Sequence, residues 1–127
     1  FPYTTLFRSS AAILMTEEVQ RGMVDKAVGR WVQAYEPLFV KWGTSDADQK
    51  AVLDIVRRRE ASLISLRVAA QKQGVEAMVA AKKEIEAERA VYAQEMSVFL
   101  DAEKMGELTQ LENSEYSRLQ AKRPARN

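Results

Sequence analysis

The sequence LISLRVAAQKQGVEAMVAAKKEI, residues 63–85, holds one glycine between two segments whose apolar residues recur at helical spacing. The first segment ends at Gly74, and the second begins directly after it with Val75. Because glycine readily adopts the backbone conformations that end a helix, Gly74 is predicted to reverse the chain between two long helices. These helices should then lie antiparallel and pack through their apolar faces.

The helix before Gly74 is predicted to begin at Ser45, which forms a variant capping box with Asp48. A helix over residues 45–73 is about 40 Å long at 1.5 Å per residue, which suits an extended hairpin. Its inward stripe consists of Val52, Leu53, Val56, Leu63, Leu66 and Ala70. The helix after Gly74 is predicted over residues 75–100. Its coiled-coil-like seam consists of residues spaced seven apart, namely Met78, Ile85, Tyr92 and Phe99.

A further helix is predicted before this hairpin, beginning at the cap residue Thr16. Proline lacks a backbone N–H and is costly inside a helix, so a break or a kink is expected at Pro37. Residues 38–42 should then form a short helical turn that Gly43 closes.

A short fourth helix is expected from the cap residue Asp101, with Gly106 inside it. Its apolar residues are Met105, Leu108 and Leu111. The basic stretch 120–127 contains Pro124 and is predicted to be a disordered tail. The fold class is therefore all-α: an elongated antiparallel hairpin with a kinked N-terminal helix and a short fourth helix, forming one domain over residues 10–119.

The first nine residues, FPYTTLFRS, resemble a translated sequencing adapter, and we interpret residues 1–9 as an artefact. The following Ala11-Ala-Ile-Leu-Met15 is either the end of a signal peptide or an internal stretch before a helix cap. No apolar run approaches the roughly 20 residues that span a bilayer, so no transmembrane segment is expected in this chain.

The 127 residues include no cysteine and no histidine. This excludes disulfides, thiolate metal sites, thiol catalysis and histidine general bases. No catalytic constellation or phosphate-binding loop is present, so we expect no enzyme activity, no cofactor and no metal. Four glutamates, Glu84, Glu86, Glu88 and Glu95, are interleaved with basic residues. They are interpreted as a solvated helix face rather than a cation site, because calcium sites usually lie in loops with several oxygen ligands.

Two features are candidate protein-binding sites. Aromatic residues are concentrated around Pro37, at Trp31, Tyr35, Phe39 and Trp42. They indicate either a hydrophobic cap on the hairpin or an interface or peptide groove, where aromatic residues are enriched. Three consecutive arginines, Arg57, Arg58 and Arg59, suit phosphate contacts. Because they fan out around a helix, a solvated face is preferred, with Arg59 near the seam. The candidate protein-binding residues are Trp31, Tyr35, Phe39, Trp42, Arg57 and Arg58.

The layout from Tyr35 onward resembles bacterial Spy/CpxP-like helical-hairpin proteins of the LTxxQ type. The matching features are the lead-in Tyr35-Glu-Pro-Leu-Phe39, the helix opening Thr44–Gln49 and a terminal helix from Phe99 to Leu111. The opening is one residue longer than the family motif, and Thr44 replaces its leucine. The resemblance implies an exported, periplasmic and often dimeric protein with a chaperone-like or stress-response role.

Three functions follow as expectations. The first is a non-enzymatic, envelope-associated helical binding protein. The second is a cytoplasmic coiled-coil scaffold that self-associates through the seam containing Tyr92. The third, which is not favoured, is a nucleic-acid binder using the three arginines and the basic tail.

Overall fold

The computed structural model describes residues 16–122, and every regular element among them is an α-helix. The four helices are α1 (Glu17–Trp42), α2 (Asp46–Gln73), α3 (Val75–Met96) and α4 (Ala102–Ala121). The predicted all-α hairpin is confirmed: α2 and α3 are joined only by Gly74 and pack against each other. The helix α1 packs against α2, and α4 packs against α1.

The predicted caps account for where three of the helices begin. Oxygen atoms of Thr16, Ser45 and Asp101 accept hydrogen bonds from backbone N–H groups three residues later, at 3.4, 3.2 and 2.9 Å. These bonds satisfy amides that have no partner within the helix. The starts of α1, α2 and α4 are therefore local properties of the sequence.

Gly74 sets the reversal between α2 and α3, with φ 108° and ψ −172°. This backbone region is almost exclusive to glycine. We expect Gly74→Ala to lower the free energy of unfolding by about 1–3 kcal/mol, the usual cost of such a conformation. The reason is backbone strain alone, since a Cβ at Gly74 would meet nothing within 4 Å. Urea denaturation followed by circular dichroism measures this change.

The matched control is Gly29→Ala, at a helical position where a Cβ also meets nothing within 4 Å. Here alanine should stabilise the protein by about 0.5–1 kcal/mol, because it loses less backbone entropy on folding. If both substitutions change the free energy of unfolding in the same direction, the conformational role given to Gly74 is wrong.

No break occurs at Pro37, because α1 continues through it to Trp42 and ends at Gly43, with φ 63°. A proline inside a helix costs about 3 kcal/mol. Continuing the helix places Phe39 in the core at 4% exposure and brings Trp42 against the same core. Burying one phenylalanine side chain contributes about 1.5–3 kcal/mol, so the two side chains together offset the proline.

Two helix ends differ from the prediction. The third helix ends at Met96 rather than residue 100, and Leu100 is buried in the turn that leads to the Asp101 cap. The fourth helix is longer than predicted and includes Gln120 and Ala121, which the sequence analysis places in the tail. The interpretations of residues 1–15, and of the tail over residues 123–127, lie outside the described residues.

The core consists of two clusters. The larger one packs α1, α2 and α4 with the end of α3, and it contains Trp31, Tyr35, Phe39, Val52, Ile55, Val56, Met96, Leu100 and Leu108. The smaller one, nearer to the Gly74 turn, joins α1 to α2 through Val24, Val28, Ile64 and Val68. The core is therefore thickest where α4 is present and thinner toward Gly74.

Candidate functional site

The predicted aromatic site is internal. Trp31 and Tyr35 are fully buried, Phe39 is nearly so, and only Trp42 is partly exposed. Their rings contact one another in sequence, with centroids 5.6 Å apart for Trp31 and Tyr35 and 6.1 Å for Tyr35 and Phe39. Of the two interpretations left open, these residues therefore fit hydrophobic packing, and three of the four candidate aromatic residues offer no surface to a partner.

A buried polar network adjoins these rings. One guanidinium nitrogen, Nη2 of Arg59, lies 3.2 Å from Glu60 Oε1 and 2.8 Å from Glu112 Oε2. The indole Nε1 of Trp31 donates to Glu60 Oε1 at 2.8 Å, and the hydroxyl of Tyr35 donates to Glu112 Oε2 at 2.8 Å. The network thus joins α1, α2 and α4, with one cation between two carboxylates.

The protonation of this network follows from its burial and charges. Burial, followed by the nearby charge of Glu112, raises the pKa of Tyr35 above its ordinary value, so the phenol remains a donor. Burial alone would lower the pKa of Arg59, but the negative charges of Glu112 and Glu60 reverse this and raise it. Arg59 therefore stays charged, and it is not part of a solvated face.

The sequence contained one signal for this network. The inward stripe of α2 has no apolar residue between Val56 and Leu63, and the inward positions in that gap are Arg59 and Glu60. Both are 4% exposed. The partner Glu112 had no such signal, because it lies more than 50 residues away on a helix whose docking depends on the whole fold.

The other two arginines point elsewhere. Arg57 pairs with Asp25 of α1 at 2.8 Å, while Arg58 pairs with Glu95 of α3 at 2.9 Å and lies over the ring of Tyr92. The three consecutive arginines therefore face three directions and do not form one basic patch. Arg57 and Arg58 are exposed, but their charges are already paired within the chain.

An open groove lies nearer to the Gly74 turn, between α2 and α3 and beside the last turn of α4. We call it the tip groove. Its volume is about 790 Å³. Its lining combines apolar residues with basic ones: Arg67, Ala70, Gln71, Met78, Ala81, Lys82, Ile85, Glu86, Arg89 and Gln120.

Exposed apolar residues of α3 extend the tip groove toward Gly74. Met78 is 46% exposed, Val79 62% and Val75 77%. Val75 and Val79 share a helix face with Lys82 and Glu86, because these positions follow at four- and three-residue spacing. The helix α3 fully buries only Ala81 and Met96. Its exposed apolar residues Val75, Met78 and Val79 are therefore available to a partner.

The four glutamates considered for a cation site do not converge. Glu88 accepts a hydrogen bond from Ser62 Oγ at 2.9 Å, while Glu95 pairs with Arg58. Over residues 16–122, no group of three or more acidic side chains is arranged to hold a metal ion. In the same range, no helix is both long and apolar enough to cross a membrane.

Comparison with known protein families, curated proteins and solved structures found no match for this chain.

Proposed function

We propose that this chain is a non-enzymatic helical binding protein that holds apolar segments of other proteins in its tip groove, in a chaperone-like manner. The observation that carries the proposal is the tip groove, about 790 Å³ in volume, with exposed Met78 in its lining and exposed Val75 and Val79 beside it. Its size falls within the range of known ligand clefts, roughly 300–1,000 Å³.

The composition of the tip groove suits varied apolar partners. Met78 is unbranched and polarisable, so it adapts to partners of different shape. The basic side chains of Arg67 and Lys82 are long and flexible, so their stems can cover apolar surface while their charges stay in water. A holdase needs this combination of exposed apolar surface and a charged rim.

The resemblance to Spy/CpxP-like hairpin proteins also supports this proposal, and it suggests the cell envelope as the location. The binding surface proposed here differs from the one expected from the sequence. It uses α3 and the end of α2, whereas Trp31, Tyr35 and Phe39 are internal.

The proposal predicts that the protein suppresses the aggregation of reduced insulin at stoichiometric ratios and without ATP, as measured by light scattering. Dithiothreitol does not alter this chain, since it has no cysteine. Met78→Asp should abolish most of the suppression, because a charged side chain would replace an apolar one in the lining of the tip groove. The matched control Val91→Asp alters a similarly exposed residue, 53% exposed, that does not line the tip groove.

If Met78→Asp suppresses aggregation as well as Val91→Asp does, the tip groove is not the binding surface. If the wild-type protein suppresses no aggregation at any ratio, the proposed function is wrong.

Self-association is the second candidate, favoured by the exposed Val75 and Val79. Tyr92 is a poor position to test it, because Tyr92 packs against the larger core cluster. A dimer in sedimentation that Met78→Asp dissociates would favour this second candidate.

A further inference from the structure

We infer that the segment held in the tip groove is an acidic amphipathic helix. This inference rests on the proposed function and specifies the chemistry of the partner. We call the surface of α1, α2 and the end of α3 on which α4 lies the furrow. The inference depends on three observations: the charges around the tip groove, the continuity of the groove with the furrow, and the way in which α4 itself is bound there.

The rim of the tip groove is positively charged. Arg67, Lys82 and Arg89 line it, and the only acidic residue in the lining is Glu86. None of the three basic residues forms an ion pair with any residue between 16 and 122, whereas Arg57, Arg58 and Arg59 all do. An approaching carboxylate therefore meets three cations and one acid, and this excess of positive charge favours encounter with acidic partners. One of the cations, Arg89, also lies over the ring of Tyr116 on α4, 4.7 Å from its centroid.

The tip groove continues the furrow in which α4 lies. On α2, the residues Arg59, Leu63 and Arg67 follow one another at four-residue spacing on one helix face. Arg59 contacts α4, while Arg67, eight residues further toward Gly74, lines the tip groove. Gln120, in the last turn of α4, lines the tip groove as well. A partner helix in the tip groove would thus extend the path of α4.

The helix α4 shows what this furrow accepts. Its apolar face buries Leu108, and two of its four acidic residues pair with cations of α1 and α2. Glu107 lies 3.0 Å from Lys41 Nζ, and Glu112 lies 2.8 Å from Arg59 Nη2. It is itself an acidic amphipathic helix, which is the class of segment that we assign to the open part of the furrow.

The chain's own C-terminal residues have the wrong charge for this groove. Residues 122–127 carry Lys122, Arg123 and Arg126 and no acid. Like charges would oppose their entry beside Arg67 and Lys82. A separate partner is therefore the better occupant.

The test uses three stapled, fluorescein-labelled helical peptides with identical apolar residues and either Glu, Gln or Lys at every polar position. A length of about 12 residues matches the distance from Met78 to Arg89, about 17 Å along the helix. Fluorescence polarisation with the full chain should give a Kd at least about tenfold lower for the Glu peptide than for the Gln peptide, equivalent to about 1.4 kcal/mol. Raising the salt concentration should reduce this preference.

The variant Lys82→Glu should remove most of the preference for the Glu peptide. The adjacent Lys83→Glu is the matched control, since it makes the same change of charge at a residue that does not line the tip groove. Both residues are exposed, and neither forms an ion pair within the described part of the chain, so both variants should fold.

The outcomes separate the two proposals. Equal binding of all three peptides, weakened by Met78→Asp but not by Lys82→Glu, would overturn the inference and leave the proposed function standing. Preference for the Lys peptide would also overturn the inference. Binding of none of the peptides, together with no suppression of insulin aggregation, would overturn both. If a second copy occupies the tip groove, sedimentation will show a dimer that the Glu peptide does not dissociate, and the inference fails.

Discussion

Replacing Arg59 with methionine is expected to lower the free energy of unfolding by about 3–5 kcal/mol, the usual cost of removing one partner from a buried ion pair. The guanidinium is the only cation in contact with Glu60 and Glu112 in the described chain, and its side chain is 5% exposed. Without it, two carboxylates are left close together with only Trp31 and Tyr35 as hydrogen-bond donors. Urea denaturation at neutral pH measures the loss.

The neighbouring arginines provide matched controls. Arg57→Met and Arg58→Met remove exposed ion pairs, so each should cost no more than about 1 kcal/mol. A triple variant, Arg59→Met with Glu60→Gln and Glu112→Gln, should recover part of the stability lost in Arg59→Met, because the uncompensated charges are gone. A cost for Arg59→Met no larger than that of the two controls would contradict the buried network.

Replacing Trp31 with alanine is expected to have an effect of similar size, about 3–5 kcal/mol, as for other large-to-small substitutions in cores. The indole is fully buried and contacts Tyr35, Tyr116 and the guanidinium of Arg59, with ring centroids 5.6 and 5.5 Å from the two tyrosines. The substitution would open a cavity at the centre of the larger core cluster. It would also remove the hydrogen bond from Nε1 to Glu60.

Two further variants divide this effect into its parts. Trp31→Phe keeps most of the ring volume but leaves Glu60 with one donor fewer, which should cost about 1–3 kcal/mol. Trp42→Ala removes a partly exposed indole whose Nε1 donates to Glu107, and it should cost less than Trp31→Ala. Equal losses for Trp31→Ala and Trp42→Ala would show that Trp31 is not the centre of the core.

The hairpin could be predicted because its determinants are local. Gly74 marks the reversal, and Ser45 and Asp101 mark helix starts through bonds to amides three residues away. The continuation of α1 through Pro37 could not be predicted in this way. It depends on the contacts of Phe39 and Trp42 with distant residues, and local propensity contains no information about them.

The candidate site was less accessible to sequence reasoning than the fold. The periodicity of α2 predicts Arg59 near the seam. It does not predict Glu112 as the partner of Arg59, because that contact depends on how α4 docks. The aromatic residues were recognised as a cluster, yet their spacing alone does not distinguish a buried cluster from an exposed interface. The tip groove exists because α4 ends at Ala121 while α2 and α3 continue toward Gly74, and this difference in reach is a property of the assembled helices.

The position of Glu112 between Arg59 and Tyr35 has a consequence for the axial alignment of α4. Leucines alone would tolerate a slide of α4 by one turn, about 5.4 Å, since apolar contacts are not directional. The same slide would separate the carboxylate from both of its partners. The buried charges thus fix the longitudinal register of α4, and through it they set how much of the furrow remains uncovered.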